Sequence, residues 1–106
     1  MGRLEADARA AHFFCEIHAR LENVGFVQNA SFELPLTQPD LGQALSLTGV
    51  HTNRVLRSLR ERGLLTFRNQ KVEIHDLKAL TTLGDFDPAY LYASNRNTPS
   101  GRPLDR

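Results

Sequence analysis

From Leu4 to Asn23 the apolar residues Leu4, Ala8, Ala11, Phe14, Ile17 and Leu21 recur every three or four positions, and Gly25 follows. That spacing predicts an amphipathic helix closed by a glycine cap. After a polar stretch, Phe32 and Leu34 alternate with polar neighbours and stop at Pro35, which suits a short edge strand. Thr37 offers an N-cap, Asp40 stands three residues on and Pro39 lies in the first turn, so a short helix from about Gln38 to Leu45 is expected. "SLT" turns the chain, Thr48 caps a second helix running to about Arg62, and Gly63 ends it. Two helices joined by a turn of three or four residues follow the helix-turn-helix plan. "LLTF" and "KVEI", separated by the polar "RNQ", predict a hairpin, which after such a pair forms a wing. Asp76 can start a last helix carrying Leu77, Leu80 and Leu83, and "FDPAYL" is expected to lay Phe86, Tyr90 and Leu91 against the core.

The expected fold is therefore mainly α with a small β component: a winged helix-turn-helix with a three-helix core and a β-hairpin wing. Residues 1–25 read as an N-terminal helix and 26–92 as the winged domain. Residues 93–106 read as a disordered tail, because "SNRNTPSGRPLDR" has one aliphatic residue and two prolines. A chain of 106 residues fits one domain and its tail. No apolar run approaches the roughly 18 residues a membrane helix needs. Glu5, Asp7 and Arg9 interrupt the N-terminal segment where a signal peptide would be apolar. The expected location is the cytoplasm, without membrane attachment.

Cys15 is the only cysteine, which excludes an internal disulfide and any Cys-rich metal or iron-sulfur site held by this chain alone. It reads as a small buried residue. Histidines 12, 18, 51 and 75 are scattered, and His12 and His18 do not share a helix face, so neither a metal nor another cofactor is expected.

Net charge is only +1, but it is unevenly spread: residues 1–48 sum to −3, 49–71 to +5 and 72–106 to −1. On a helix from 49 to 62, Thr52, Val55, Leu56 and Leu59 form the stripe that must face inward. The opposite face displays Val50, Asn53, Arg54 and Arg57, with His51 and Arg60 at its margins. Of Arg54, Arg57, Arg60 and Arg62 only Glu61 is a neighbouring counter-charge, and a basic wing (Arg68, Lys71) follows. An ordinary solvated helix face mixes signs; a single-sign face on the second helix of this motif suits double-stranded DNA, since an α-helix fits the major groove and arginine pairs with guanine.

The stretches "FELPLTQPDLGQALSLTGVHTNRVLRSLRERGLL", "KVEIHDLKAL" and "FDPAYL" resemble the C-terminal DNA-binding domain of the Crp/Fnr family of bacterial transcription regulators, over about residues 8–92. By position, the resemblance implies base reading by Gly49, Val50 and Arg54, with His51 and Asn53 as further candidates. It implies phosphate contacts from Thr37, Gln38, Thr48 and Thr52, and a wing at Arg68, Asn69 and Lys71; Arg57 joins the phosphate set from its place on the basic face. Well-known members often carry a polar or basic residue at the position of Gly49 and a cytosine-reading glutamate at that of Val50. Glycine and valine cannot make those hydrogen bonds, though Val50 could touch a thymine methyl.

Family members also carry an N-terminal β-roll sensor and a long helix that pairs two subunits, neither of which is recognisable here. The chain reads as an excised fragment or as a natural short protein, and a homodimer is left open. RNA polymerase is a further partner the resemblance suggests. The competing reading is a sensor-less winged-helix protein acting through contacts with a partner regulator or subunit, by way of the first helix. An enzyme is not expected: no Gly-rich phosphate loop or nucleophile motif appears, and Asp76 beside His75 has a sufficient role as a helix cap.

Overall fold

Alanine and leucine at every third or fourth position wind the first helix, α1 (Arg3–Asn23), in a computed structural model that describes residues 3–87. β1 (Ser31–Glu33), α2 (Gln38–Leu45), α3 (Gly49–Glu61), β2 (Leu65–Arg68), β3 (Lys71–Ile74) and α4 (Leu77–Gly84) follow. Helices predominate, and the strands form one antiparallel sheet of order β1-β3-β2. β1 is an edge strand, as expected, though it stops at Glu33, leaving Leu34 between it and Pro35. Tyr90, Leu91 and the tail from 93 to 106 lie outside the described residues.

The helix ends are set locally. α1 and α3 both close on a glycine with positive φ, Gly25 at 83° and Gly63 at 72°. After each, an N–H reaches back to the last helical turn: Phe26 to the Leu21 carbonyl at 2.8 Å, and Leu64 to that of Leu59 at 3.0 Å. Asp76 starts α4 by accepting from the Ala79 N–H at 3.0 Å. The wing turn is two residues long, Asn69 and Gln70, with φ of 54° and 61°, the left-handed pair whose twist matches that of paired strands.

The core is continuous. Phe14, Leu41, Leu59, Leu65, Val72 and Leu80, from six of the elements, are all fully buried. α1 is clamped between α4 on one flank and α3 on another, so its buried arc is wider than a single stripe. Ala6, Ala10, Ala11, Cys15 and Ala19 are sealed, whereas Ala8 is half-buried. Phe86 packs against this core, its ring edge-on to His12 at 5.2 Å. His12 Nδ1 lies 3.0 Å from the Gly84 carbonyl, an acceptor only, so the proton sits on that nitrogen.

Two reactive-looking groups on α1 are spent on packing. Burial pushes the Cys15 thiol up to about 12, so no thiolate is present at neutral pH. His18 is buried against the Phe32 ring at 6.0 Å. Burial lowers its pKa below the ordinary 6.5, only partly opposed by the Glu22 charge. The unfolded chain therefore binds a proton that the folded chain refuses, and stability falls as pH drops below about 6.5 until the folded-state pKa is passed. Thermal melts from pH 7.5 to 5 should show this loss in the wild type, and His18→Phe should flatten it; an unchanged slope in the variant contradicts the assignment.

Candidate nucleic-acid interface

α2 and α3 are brought together by glycine. A Cβ on Gly42 would lie 2.7 Å from the Thr52 hydroxyl and 3.0 Å from the Leu47 carbonyl, so only a bare backbone lets the helices approach this closely. Thr37 caps α2: its hydroxyl accepts from the Asp40 N–H at 3.2 Å while the Asp40 carboxylate accepts from the Thr37 N–H at 3.0 Å. The hydrogen bond from the Thr37 backbone holds the Asp40 carboxyl below its usual pKa. Ser46, in the left-handed conformation, ends α2, and Thr48 caps α3 by accepting from the His51 N–H at 3.2 Å. Both cap hydroxyls keep their own proton to donate outward.

Thr52, Val55 and Leu59 bury the inner face of α3, and Leu56 packs beside them. The outer face is thereby fixed. Val50, at its N-terminal end, is 80% exposed. Gly49, His51, Asn53, Arg57 and Arg60 are exposed, and Arg54 is half-buried. A side chain on Gly49 would meet nothing within 4 Å, so the glycine there is not dictated by packing. The N–H groups of the first turn have no intrahelical acceptor and add positive potential at the same end.

The wing extends the basic surface. Arg68 and Lys71 are directly paired across the hairpin and both are exposed, so two cations stand side by side at the wing. Glu33 faces Lys71 from the other side. Asn69 stands at the tip, and Thr37 and Gln38 are exposed at the start of α2.

One expected phosphate ligand is overturned. Thr52 is no phosphate ligand: it is 1% exposed and its hydroxyl donates to the Thr48 carbonyl at 2.8 Å, so it braces the turn. Arg62 lies off the outward basic face, as its absence from that face on the helical spacing predicts. It turns toward α1, its Nη2 lying 3.4 Å from the Asp7 carboxylate. Asp7, 4% exposed, also accepts from the Ser58 hydroxyl at 2.7 Å, a contact across 51 positions of chain that no local pattern signals.

The His75–Asp76 pair is not assembled for acid-base work. His75 Nε2 meets the Thr66 hydroxyl at 2.9 Å, and the Asp76 carboxylate caps α4. Among the described residues no three His, Cys, Asp or Glu side chains converge to hold a metal ion, and no helix is long and apolar enough to cross a membrane.

Residues 8–83 match the family model of the Crp-like helix-turn-helix domain. The anaerobic regulatory protein of Pasteurella multocida is 30% identical over 83 residues, 78% of this chain and 30% of that protein. The transcriptional activator protein FnrA of Stutzerimonas stutzeri is 31% identical over 83 residues, 78% of this chain and 34% of that protein. The chain thus spans about a third of the length of these curated relatives. Among solved structures, FixK2 from Bradyrhizobium japonicum is 26% identical with a TM-score of 0.61, covering 74% of this chain and 37% of that one. An OCPA-complexed CprK is 23% identical with a TM-score of 0.63, covering 76% and 38%.

Proposed function

The chain belongs to the Crp-like helix-turn-helix family, and from that premise we propose that it is the sequence-specific DNA-binding domain of a bacterial transcription regulator, with α3 in the major groove. The outer face of α3 carries this reading: Val50, Asn53, Arg54 and Arg57 project from a helix whose opposite side is locked in the core. In the groove Arg54 reads a guanine through its bidentate fork, and Val50, one turn before it, contacts a thymine methyl. His51 and Asn53 lie close enough to contribute to base reading. Gly49 leaves room for the helix N-terminus to approach the bases closely.

Thr37, Gln38, Thr48, Arg57, Arg68, Asn69 and Lys71 hold phosphates and set the register. Two exposed cations side by side near the hairpin tip support the wing's part in this. The relatives' names, a transcriptional activator and an anaerobic regulatory protein, support a role in controlling transcription; such a regulator would act in the cytoplasm, where bacterial DNA lies, by binding rather than turnover. A contact with RNA polymerase belongs to the activating form of that role. One copy covers one half-site, and two copies on half-sites about 34 Å apart would bind far more tightly than one.

Fluorescence anisotropy on a duplex at about 50 mM and about 200 mM salt tests the reading. Affinity should fall roughly a hundredfold between the two, as expected when about four cations displace counterions. Lys71→Ala should lower the salt slope by about one. Binding that ignores salt, or no binding at 50 mM, refutes it.

A further inference from the structure

Resting on the DNA-binding reading, we propose that Asp7 is a positioning residue for base recognition: it grips the ridge of α3 that carries Arg54. Residues 54, 58 and 62 follow one another at intervals of four, so they form a single row along the helix. Asp7 holds the second and third members of that row, accepting from the Ser58 hydroxyl at 2.7 Å and pairing with Arg62 at 3.4 Å. Arg54 is the first member, and it lines the same groove as Asp7, together with His51 and Ala6. Two contacts from one carboxylate to points one turn apart fix the roll of α3 about its axis, which simple apolar packing of Val55 and Leu59 leaves softer. The direction in which Arg54 and Val50 leave the helix depends on that roll.

The carboxylate is nearly sealed, at 4% exposed, and it comes from a helix outside the helix-turn-helix pair. A buried acid beside a DNA-binding face is a liability for affinity, since it opposes the phosphates. Its direct contact with α3 gives it a geometric role instead. The same pair withdraws Arg62 from the outer face and leaves Arg54 and Arg57 to meet the duplex.

The two effects of Asp7 pull in opposite directions, so they can be separated. The wild-type chain is used to select a preferred duplex from a random pool, and its affinity is compared with that for a scrambled duplex of equal length. Asp7→Asn and Ser58→Ala should each lower the ratio of specific to non-specific affinity about tenfold, the equivalent of one hydrogen bond to a charged group. Non-specific affinity should stay level or rise in Asp7→Asn. Ser58→Thr, which keeps the hydroxyl, should restore the ratio. Should Asp7→Asn fail to fold, Ser58→Ala, which retains the Asp7–Arg62 pair, carries the comparison alone. Ratios preserved in the folded variants, with only a lower melting temperature, overturn the positioning role. A wild type that prefers no duplex overturns the DNA-binding reading beneath it instead.

Discussion

Arg54→Ala should lose about ten- to a hundredfold in affinity for the preferred duplex, the equivalent of roughly 1–3 kcal/mol for one bidentate arginine–guanine contact. Affinity for unrelated DNA should change little, because base-edge contacts carry the sequence preference whereas phosphate contacts supply the non-specific affinity. Arg57→Ala should do the opposite, weakening all duplexes alike and lowering the salt slope by about one. Anisotropy with both duplexes distinguishes the two. Equal losses on both duplexes for Arg54→Ala would reduce it to a phosphate ligand and leave the base reading to Val50, His51 and Asn53.

Gly84→Ala should be more damaging than the same change at any other described glycine. A Cβ at that position would lie 2.5 Å from the His12 nitrogen, 2.8 Å from its Cα and 2.9 Å from the Ala11 carbonyl carbon. All three are backbone atoms of α1, so no rotamer change relieves the clash and the α1–α4 seam must open. Overpacking of this kind costs about 3 kcal/mol or more, which for a domain this size lowers the melting temperature by about 10 to 20 °C. Gly49→Ala is the control, since nothing lies within 4 Å and the new methyl favours the helix. Circular dichroism melts that leave Gly84→Ala within about 3 °C of wild type would refute the account of the seam.

The helix-turn-helix was legible because caps and stops are local. Thr37 with Asp40, Thr48, Gly25, Gly63 and Asp76 each declare a helix end within four residues, and every one does so in the structure. The hairpin was legible for the same reason, though β2 runs from Leu65 to Arg68, one residue later than its apolar pattern suggests. The two-residue turn requires that shift, because Arg68 must pair with Lys71. Asp7 was not legible. An acid near the start of an amphipathic helix reads as solvated, and only the tertiary crossing of α1 over α3 brings it to Ser58 and Arg62. Thr52 was misassigned by position within the motif, although its place on the inward stripe already opposed a surface role. Helical spacing alone sets Arg54 and Arg57 outward with Arg60 at the margin, whereas the partner of Arg62 is tertiary.

Selection of bound duplexes from a random-sequence pool by the purified chain, at about 50 mM salt, decides whether α3 reads sequence. The account predicts enrichment of a short site containing a guanine next to a thymine, without the cytosine contact that a glutamate at Val50 would supply, and loss of that enrichment in Arg54→Ala. A pool returned with its starting sequence distribution, from a chain that nevertheless binds DNA, would contradict sequence reading by α3.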